Sequence, residues 1–149
     1  MLTLGVSQKP IVMPRYAHMM ALDRDVWTRF LESGNFPLKE VWYDVHVGKP
    51  VTGDSTADAL GAGIAAALTR KRIDVVAHVG GGYWVVEVKP RADMLALGQV
   101  LSYARLFARE YRVDGEILPV VVCDQVDEDL LDEYEEFGVG VISNEYSEF

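Results

Sequence analysis

The sequence has little of the chemistry that marks secreted, membrane or metal-cluster proteins. Cys123 is the only cysteine among 149 residues, so an intrachain disulfide is excluded and a reducing compartment is indicated. No apolar run approaches the roughly 18 residues that a membrane-spanning helix needs, and no basic segment followed by an apolar leader is present. We therefore expect a soluble, cytoplasmic protein that makes no contact with a membrane. Half of the residues are apolar and a quarter are charged, which predicts one globular domain over residues 1–149.

Lysine and arginine are absent from the last part of the chain. Asp114–Phe149 contains twelve acidic residues and no Lys or Arg, whereas Arg70–Arg112 contains eight basic and four acidic residues. The net charge of −9 should repel a polyanion such as DNA, but the basic central segment leaves one region that can contact phosphate. We expect the acidic C-terminal region to keep the protein soluble, or to bind a protein partner or a second copy of the chain.

Two apolar runs in the middle of the chain predict a β-hairpin. They cover Ile73–Val79 and Tyr83–Val88, and the three glycines Gly80–Gly82 separate them. Both runs are rich in valine and aromatic residues, which favour strands, and the glycines suit a tight, flexible turn.

Three charged residues interrupt this otherwise apolar hairpin. Side chains alternate across a strand, so Glu87 and Lys89 share one face with Val85. On the preceding strand, Asp74 shares a face with Val76 and His78. Burying a charge costs several kcal/mol, roughly, unless the charge is paired or binds a metal ion. Such a break in local pattern usually marks a functional site.

The rest of the sequence predicts a mixture of helices and strands. Residues 1–20 lack clear periodicity, so we expect an irregular N-terminal arm. Before the hairpin we expect a short helix that begins at Asp23 or Asp25 and ends before Gly34, a strand Glu40–Val47, a loop Lys49–Ser55 and a helix Thr56–Thr69. After it we expect a helix from about Asp93 to Tyr111, a strand Ile117–Cys123, an acidic helix Asp127–Phe137 and a strand Val139–Ile142. This order is typical of an α/β or α+β fold with helices packed on a mixed sheet.

The central residues resemble a known family. Asp74, followed after twelve residues by Glu87-Val88-Lys89, resembles the D…(D/E)xK signature of the PD-(D/E)xK nuclease superfamily. Gln99–Tyr103 on the next helix resembles the QxxxY element of its RecB-like and phage-exonuclease-like branch. The match covers Arg72–Tyr103, and the order of the flanking elements agrees with that family's αβββαβ core. The resemblance implies a restriction-endonuclease-like fold and a metal-dependent deoxyribonuclease of RecB-like or phage type.

The chemistry of phosphodiester hydrolysis explains why two acids stand together. Mg²⁺ and Mn²⁺ prefer oxygen ligands, usually one or two carboxylates with water and substrate phosphate. We expect Asp74 and Glu87 to bind such an ion, and the resemblance implies that the backbone carbonyl of Val88 is a further ligand. Many family members also donate an acid from the first helix; Glu32 is our candidate, with Glu40 as the second choice.

The remaining candidates have roles in positioning and charge stabilisation. Lys89 is expected to orient the attacking water and to counter the developing negative charge. Gln99 and Tyr103 project from one side of their helix and are expected to hold metal-bound water or phosphate. Arg91 and Arg105 are expected to contact the backbone of the DNA substrate.

Other interpretations stay open at this point. Asp74, Glu87 and Lys89 are also compatible with a structural salt-bridge cluster, and Gln99 and Tyr103 with an ordinary pair on a helix surface. If these residues are structural, the chain is a non-catalytic nuclease-fold module used for binding or assembly. The net negative charge of the protein favours this interpretation. A third reading is an acidic interaction protein in which the motif is coincidental.

Overall fold

The computed structural model describes residues 1–50, 70–143 and 147–148. The helices are α1 (Ala21–Ser33), α2 (Met94–Glu110) and α3 (Leu131–Glu136), with a 3₁₀ turn at Glu128–Leu130 before α3. The strands are β1 (Glu40–Val47), β2 (Lys71–Val79), β3 (Gly82–Val88), β4 (Arg91–Ala92), β5 (Glu116–Cys123), β6 (Gln125–Val126), β7 (Gly140–Ser143) and β8 (Ser147–Glu148). The predicted helix Thr56–Thr69 and most of the predicted loop Lys49–Ser55 lie outside the described residues.

The strands form one mixed sheet with helices packed on it. Its order is β1-β2-β3-β5-β7-β8. Strands β1, β2 and β3 are antiparallel neighbours, β5 runs parallel to both β3 and β7, and β8 is antiparallel to β7. The short strands β4 and β6 form a separate parallel pair. The predicted mixed α/β architecture is therefore confirmed.

The hairpin of β2 and β3 has the predicted position but a shorter turn. Gly82 already pairs with Val79, so only Gly80 and Gly81 connect the strands. A Cβ atom at Gly82 would lie 2.3 Å from the carbonyl oxygen of Glu116, where β5 begins beside β3. Gly82 is thus needed for the close approach of a neighbouring strand and not for the turn itself.

Helices cover both faces of the sheet, and the alternation of β3 divides its side chains between them. On one face, α1 contributes Val26, Trp27 and Phe30 to a core with Val86 and Val88. On the other face, Ala104 and Phe107 of α2 pack with Val76 and Val85. Glu87, between Val86 and Val88, is therefore directed to the face that α2 covers.

The first helix begins earlier than the sequence predicted. Met20 is its N-cap residue and makes no capping hydrogen bond through its side chain, so the predicted cap at Asp23 or Asp25 was wrong. Both acids lie within the first turns of α1 instead. Asp23 is three and four positions before the buried Val26 and Trp27, which places it on the side of the helix that meets the sheet.

The second helix follows the prediction closely. Asp93 is its N-cap, and its carboxylate accepts a 2.9 Å hydrogen bond from the backbone N–H of Ala96. The buried face of α2 consists of Ala96, Leu97, Val100, Ala104 and Phe107. No described helix is long and apolar enough to cross a membrane.

Candidate active site

Asp74 and Glu87 lie next to each other at the end of the strand pairing between β2 and β3. The last paired residues are Val75 and Val86, so Asp74 and Glu87 come one step beyond the pairing. At this step the carboxylate of Asp74 replaces a backbone acceptor: its Oδ2 accepts a 2.8 Å hydrogen bond from the backbone N–H of Val88. The side chain of Asp74 is thereby held beside Glu87 and beside the backbone of Val88, as the sequence predicted.

Glu87 is the buried charged residue of the described core, with 5% of its surface exposed. Its Oε1 lies 3.5 Å from the Nζ of Lys89. Its Oε2 is buried and has no hydrogen-bond partner among the described residues. A buried carboxylate oxygen without a partner is costly, so this position favours either a proton, which Glu87 can donate in a hydrogen bond to the neighbouring Asp74, or a cation.

Burial raises the pKa values of both acids, whereas a hydrogen bond between the carboxyl groups of Glu87 and Asp74 acts to lower the pKa of Asp74. Burial raises the pKa of Glu87 to about 8, and the negative charge of Asp74 adds to this effect, while Lys89 opposes it. Burial also raises the pKa of Asp74 to about 6, although the hydrogen bond from Val88 acts in the other direction. In the absence of a cation the pair therefore retains a proton near neutral pH.

The sequence did not reveal that a third carboxylate, that of Asp23, acts electrostatically on the pair. The negative charge of Asp23, in the first turn of α1, raises the pKa values of Asp74 and Glu87. Burial raises the pKa of Asp23 itself, and the charge of Lys89 lowers it. The signal in the sequence was an acid in register with the apolar stripe of Val26 and Trp27, which we interpreted only as a helix cap.

Neither candidate for the first-helix acid is among the charges that act on Asp74 and Glu87. Glu32 is exposed and lies nine positions after Asp23, half a turn round the helix axis and roughly 13 Å further along it. Its charge acts on Arg29. Glu40, the second choice, accepts a 3.0 Å contact from Nδ1 of His78, four residues along β2 from Asp74. Among the acids of α1, Asp23 is the one whose charge acts on Asp74 and Glu87.

Tyr103 of α2 is affected by the charges of the two carboxylates, and Gln99 precedes it by one helical turn. The two residues are four positions apart and both are half-buried. Burial raises the pKa of Tyr103, and the negative charges of Glu87 and Asp74 raise it further. The Oε1 atom of Gln99 is buried without a hydrogen-bond partner among the described residues. Tyr103 thus lies within electrostatic reach of the acids, and Gln99, one helical turn before it, has one acceptor unused.

The two predicted DNA-contacting arginines do not face the carboxylates. Nη1 of Arg91 forms a 2.8 Å ion pair with Oδ1 of Asp127, across the small pair of strands β4 and β6. Arg105 is exposed on α2, about 200° round the helix axis from Tyr103. Their contact with nucleic acid stays a prediction.

The donors present suit a cation that keeps part of its water shell. Within residues 1–50, 70–143 and 147–148, no group of three or more His, Cys, Asp or Glu side chains is arranged to hold a metal ion by itself. Mg²⁺ usually binds to only one or two carboxylates and completes its shell with water. Asp74 and the unpartnered Oε2 of Glu87 fit that requirement.

The chain matches no protein-family model, no curated protein and no solved structure. The chemistry of the site must therefore be inferred from its own side chains. Two acids and one lysine meet at the end of the β2–β3 hairpin, and Asp23 and Tyr103 lie within electrostatic reach of the two acids.

Proposed function

We propose that this protein is a metal-dependent nuclease that hydrolyses DNA phosphodiester bonds. The observation that carries the proposal is the buried, unpartnered Oε2 of Glu87, between Asp74 and Lys89. The order α1-β1-β2-β3-α2-β5 supports the further proposal of a restriction-endonuclease-like αβββαβ core of the PD-(D/E)xK type.

The balance of charge favours a cation site over a structural salt bridge. Lys89 is the lysine that acts on all three carboxylates, Asp23, Asp74 and Glu87. One ammonium group cannot neutralise three acids, and burial raises the pKa values of all three, with the charges of neighbouring acids adding to this effect at Asp74 and Glu87. A divalent cation such as Mg²⁺ or Mn²⁺ removes this excess without a change in the fold.

Different residues of the site would have different roles in the hydrolysis of a phosphodiester bond. Asp74 and Glu87 would hold Mg²⁺ or Mn²⁺, with the backbone carbonyl of Val88 as a further ligand, and the ion would supply charge stabilisation at the phosphate. Lys89 would orient the attacking water with its ammonium group. Its fixed contact with Glu87 keeps that group at the site.

The two side chains from α2 would act on water and phosphate. Gln99 has a free acceptor in Oε1, which suits a hydrogen bond from water, and an amide N–H that can donate to a phosphate oxygen. Because the pKa of Tyr103 is raised, its hydroxyl stays protonated at neutral pH and can donate a hydrogen bond. Both would position the substrate rather than exchange protons with it.

The test is a cleavage assay on linear, circular and single-stranded DNA with Mg²⁺, Mn²⁺ or a chelator. Wild-type protein should cut at least one form when the metal is present and none with the chelator. Asp74→Asn should abolish cleavage, whereas the matched control Glu32→Gln should cut at the wild-type rate, because Glu32 lies on the far side of α1. Cleavage by Asp74→Asn would overturn the assignment.

A non-catalytic binding or assembly module is the second candidate. It is favoured by the ion pair of Arg91 with Asp127, which occupies a residue that a nuclease could use for phosphate. Such a module would bind DNA or a protein partner without cleavage and without dependence on metal. Metal-independent binding together with an inactive wild-type protein would support this candidate against the enzyme.

A further inference from the structure

The pairing of β1 with β2 is interrupted at one position, opposite the candidate site. The residues on either side of this position pair in one and the same register, Tyr43 with Val75 and Val45 with Ile73. Asp44 and Asp74 are therefore opposite each other but do not pair. Because the pairing of β2 with β3 also ends before Asp74, this residue is unpaired on both sides although it lies within β2.

Asp44 has an unusual backbone conformation at the interruption. Its φ is 55°, in the left-handed region that residues other than glycine seldom adopt. Asp and Asn enter this region more readily than β-branched residues do. Among the described residues, the other non-glycine residue with a positive φ is His18, at 60°, and its Nε2 lies 3.3 Å from Oδ2 of Asp44. The two residues with strained backbones thus contact each other.

Nitrogen atoms from three segments of the chain hold the side chain of Asp44. Its Oδ2 lies 3.3 Å from Nε2 of His18, which precedes α1, and 3.4 Å from Nε2 of His46 on β1. Nη1 of Arg72 on β2 is 3.6 Å from the same oxygen, and Arg72 pairs with His46 across the two strands. Strain that is fixed from several directions in this way is typical of functional sites.

Both strands exchange their faces at the interruption. In a regular strand, residues two positions apart face the same side of the sheet. On β1, however, Val41 packs in the core that includes α1, whereas Val45 packs in the core that includes α2. On β2, Val75 packs in the first of these cores and Ile73 in the second. The residues between them, at the unpaired position, are therefore where the alternation is broken.

The exchange of faces coincides with the hydrogen bond that holds the candidate site together. If the pairing of β2 with β3 continued in register, Ile73 would lie opposite Val88. Ile73 instead pairs with β1 beyond the interruption, and the N–H group of Val88 donates to Oδ2 of Asp74. The carboxylate of Asp74 thus occupies a position at which a regular sheet would continue with backbone pairing.

We propose that Asp44 is a positioning residue for the candidate site: its left-handed backbone prevents β1 from pairing with β2 at Asp74, so that the carboxylate of Asp74 reaches Val88 and lies beside Glu87. This inference rests on the proposed metal-dependent function. An extended backbone at residue 44 would allow the missing pair to form and would return Asp74 to the regular sheet. Asp44 acts through Asp74 and is not itself a ligand of the cation.

The test separates the backbone conformation of residue 44 from its carboxylate. Asp44→Gly removes the carboxylate but accepts a positive φ, whereas Asp44→Val favours an extended backbone. Trp42→Val is the matched control, because it removes a half-buried side chain from a paired position of the same strand. Calorimetry measures the affinity for Mn²⁺. In metal-free protein, NMR detects the scalar coupling across the hydrogen bond between the Val88 nitrogen and the carboxyl carbon of Asp74.

Wild-type protein, Asp44→Gly and Trp42→Val should all show this coupling and should bind Mn²⁺ with affinities within about threefold of one another. Asp44→Val should lose the coupling and bind Mn²⁺ about tenfold more weakly, because loss of a group that orients a metal ligand typically has an effect of that size. If Asp44→Val does not fold, Asp44→Ala should show the same two losses to a smaller degree, since alanine also disfavours a positive φ.

Equal losses in Asp44→Gly and Asp44→Val would overturn the inference, because the carboxylate and not the backbone would then be what matters. An unchanged coupling and an unchanged Mn²⁺ affinity in Asp44→Val, or in Asp44→Ala, would also overturn it and leave Asp44 as part of a structural ion cluster. The coupling is measured without metal, so it decides the role of Asp44 even if wild-type protein binds no Mn²⁺ and cuts no DNA, results that would refute the proposed nuclease.

Discussion

The carboxylate of Asp74 accepts a 2.8 Å hydrogen bond from the backbone N–H of Val88, across the open end of the β2–β3 hairpin. This hydrogen bond replaces a backbone–backbone hydrogen bond at the point where the pairing of β2 with β3 ends. It satisfies one oxygen of Asp74 and holds the residue beside Glu87, where two like charges repel each other. The fold thus places two buried acids together, which is destabilising unless a proton or a cation is bound.

The first prediction concerns the pH dependence of stability in the absence of metal. The folded-state pKa values of Asp74 and Glu87, about 6 and about 8, lie above the values of the unfolded chain. The folded protein then binds more protons than the unfolded one, so the stabilising effect of these protons is complete near pH 4 and is lost as pH rises to 8. In the presence of a chelator, the free energy of unfolding should fall steadily through this window. Denaturant unfolding at several pH values measures it.

Saturating Mn²⁺ should reverse this trend, because the cation binds the ionised acids of the folded state. Glu87→Gln should flatten the pH profile without metal, since the amide does not titrate. A profile that rises from pH 5 to pH 8 in metal-free wild-type protein would contradict the raised pKa values of the pair.

The second prediction compares the two acids of α1. Asp23→Asn removes a negative charge that raises the pKa values of Asp74 and Glu87, so the pH at which stability declines should move down. Mn²⁺ affinity should fall by about tenfold, because one of three nearby carboxylates is lost. The control Glu32→Gln should change neither quantity. Equal effects of the two variants would remove Asp23 from the site.

The third prediction separates an enzyme from a salt-bridge cluster. Lys89→Ala should lower kcat by about 10²–10³, or about 3–4 kcal/mol, since an ammonium group near the attacking water is lost. Binding of Mn²⁺ should survive, because lysine is not a ligand. A structural role predicts the opposite pattern: a lower Tm and unchanged cleavage, because Asp23, Asp74 and Glu87 would lose their cationic partner. Rate and Tm are measured on the same preparation.

The fourth prediction concerns phosphate contact by the basic segment. Arg105→Glu should weaken binding to all DNA sequences to a similar degree and reduce the dependence of affinity on salt by about one phosphate contact. Arg91→Glu is a less specific test of phosphate contact, because it also breaks the ion pair with Asp127. Fluorescence anisotropy at several salt concentrations gives the slope. Salt-independent affinity in the wild type would argue against phosphate contact by this segment.

The sequence predicted much of the fold because its strongest signals are local. The valine-rich runs of the hairpin and the 3.6-residue periodicity after Asp93 correspond closely to β2, β3 and α2. The sequence predicted that Asp74 and Glu87 on adjacent strands could converge, but their register one step beyond the Val75–Val86 pair depends on a two-residue turn that the sequence did not predict. The predicted helix Thr56–Thr69 lies outside the described residues.

The first-helix acid could not be chosen in the same way. Asp23, Asp25 and Glu32 all occur in one short helical stretch, and only the rotation of α1 against the sheet decides which of them meets the hairpin. That rotation depends on how Trp27 and Phe30 pack against strands that are far away in sequence. The ion pair of Arg91 with Asp127 could not be predicted either, because the two-residue strands β4 and β6 are too short to give a sequence signal.

The most direct test of the central claim is calorimetric titration of Mn²⁺ at pH 7, in two buffers with different ionisation enthalpies. Because the pKa of Glu87 is about 8, the pair carries a proton that the cation must displace. We predict Mn²⁺ binding with release of about one proton in wild-type protein and in Glu32→Gln, and no binding in Glu87→Gln. Equal Mn²⁺ binding by wild-type protein and Glu87→Gln, or no binding by either, would contradict the assignment of Asp74 and Glu87 as a cation site.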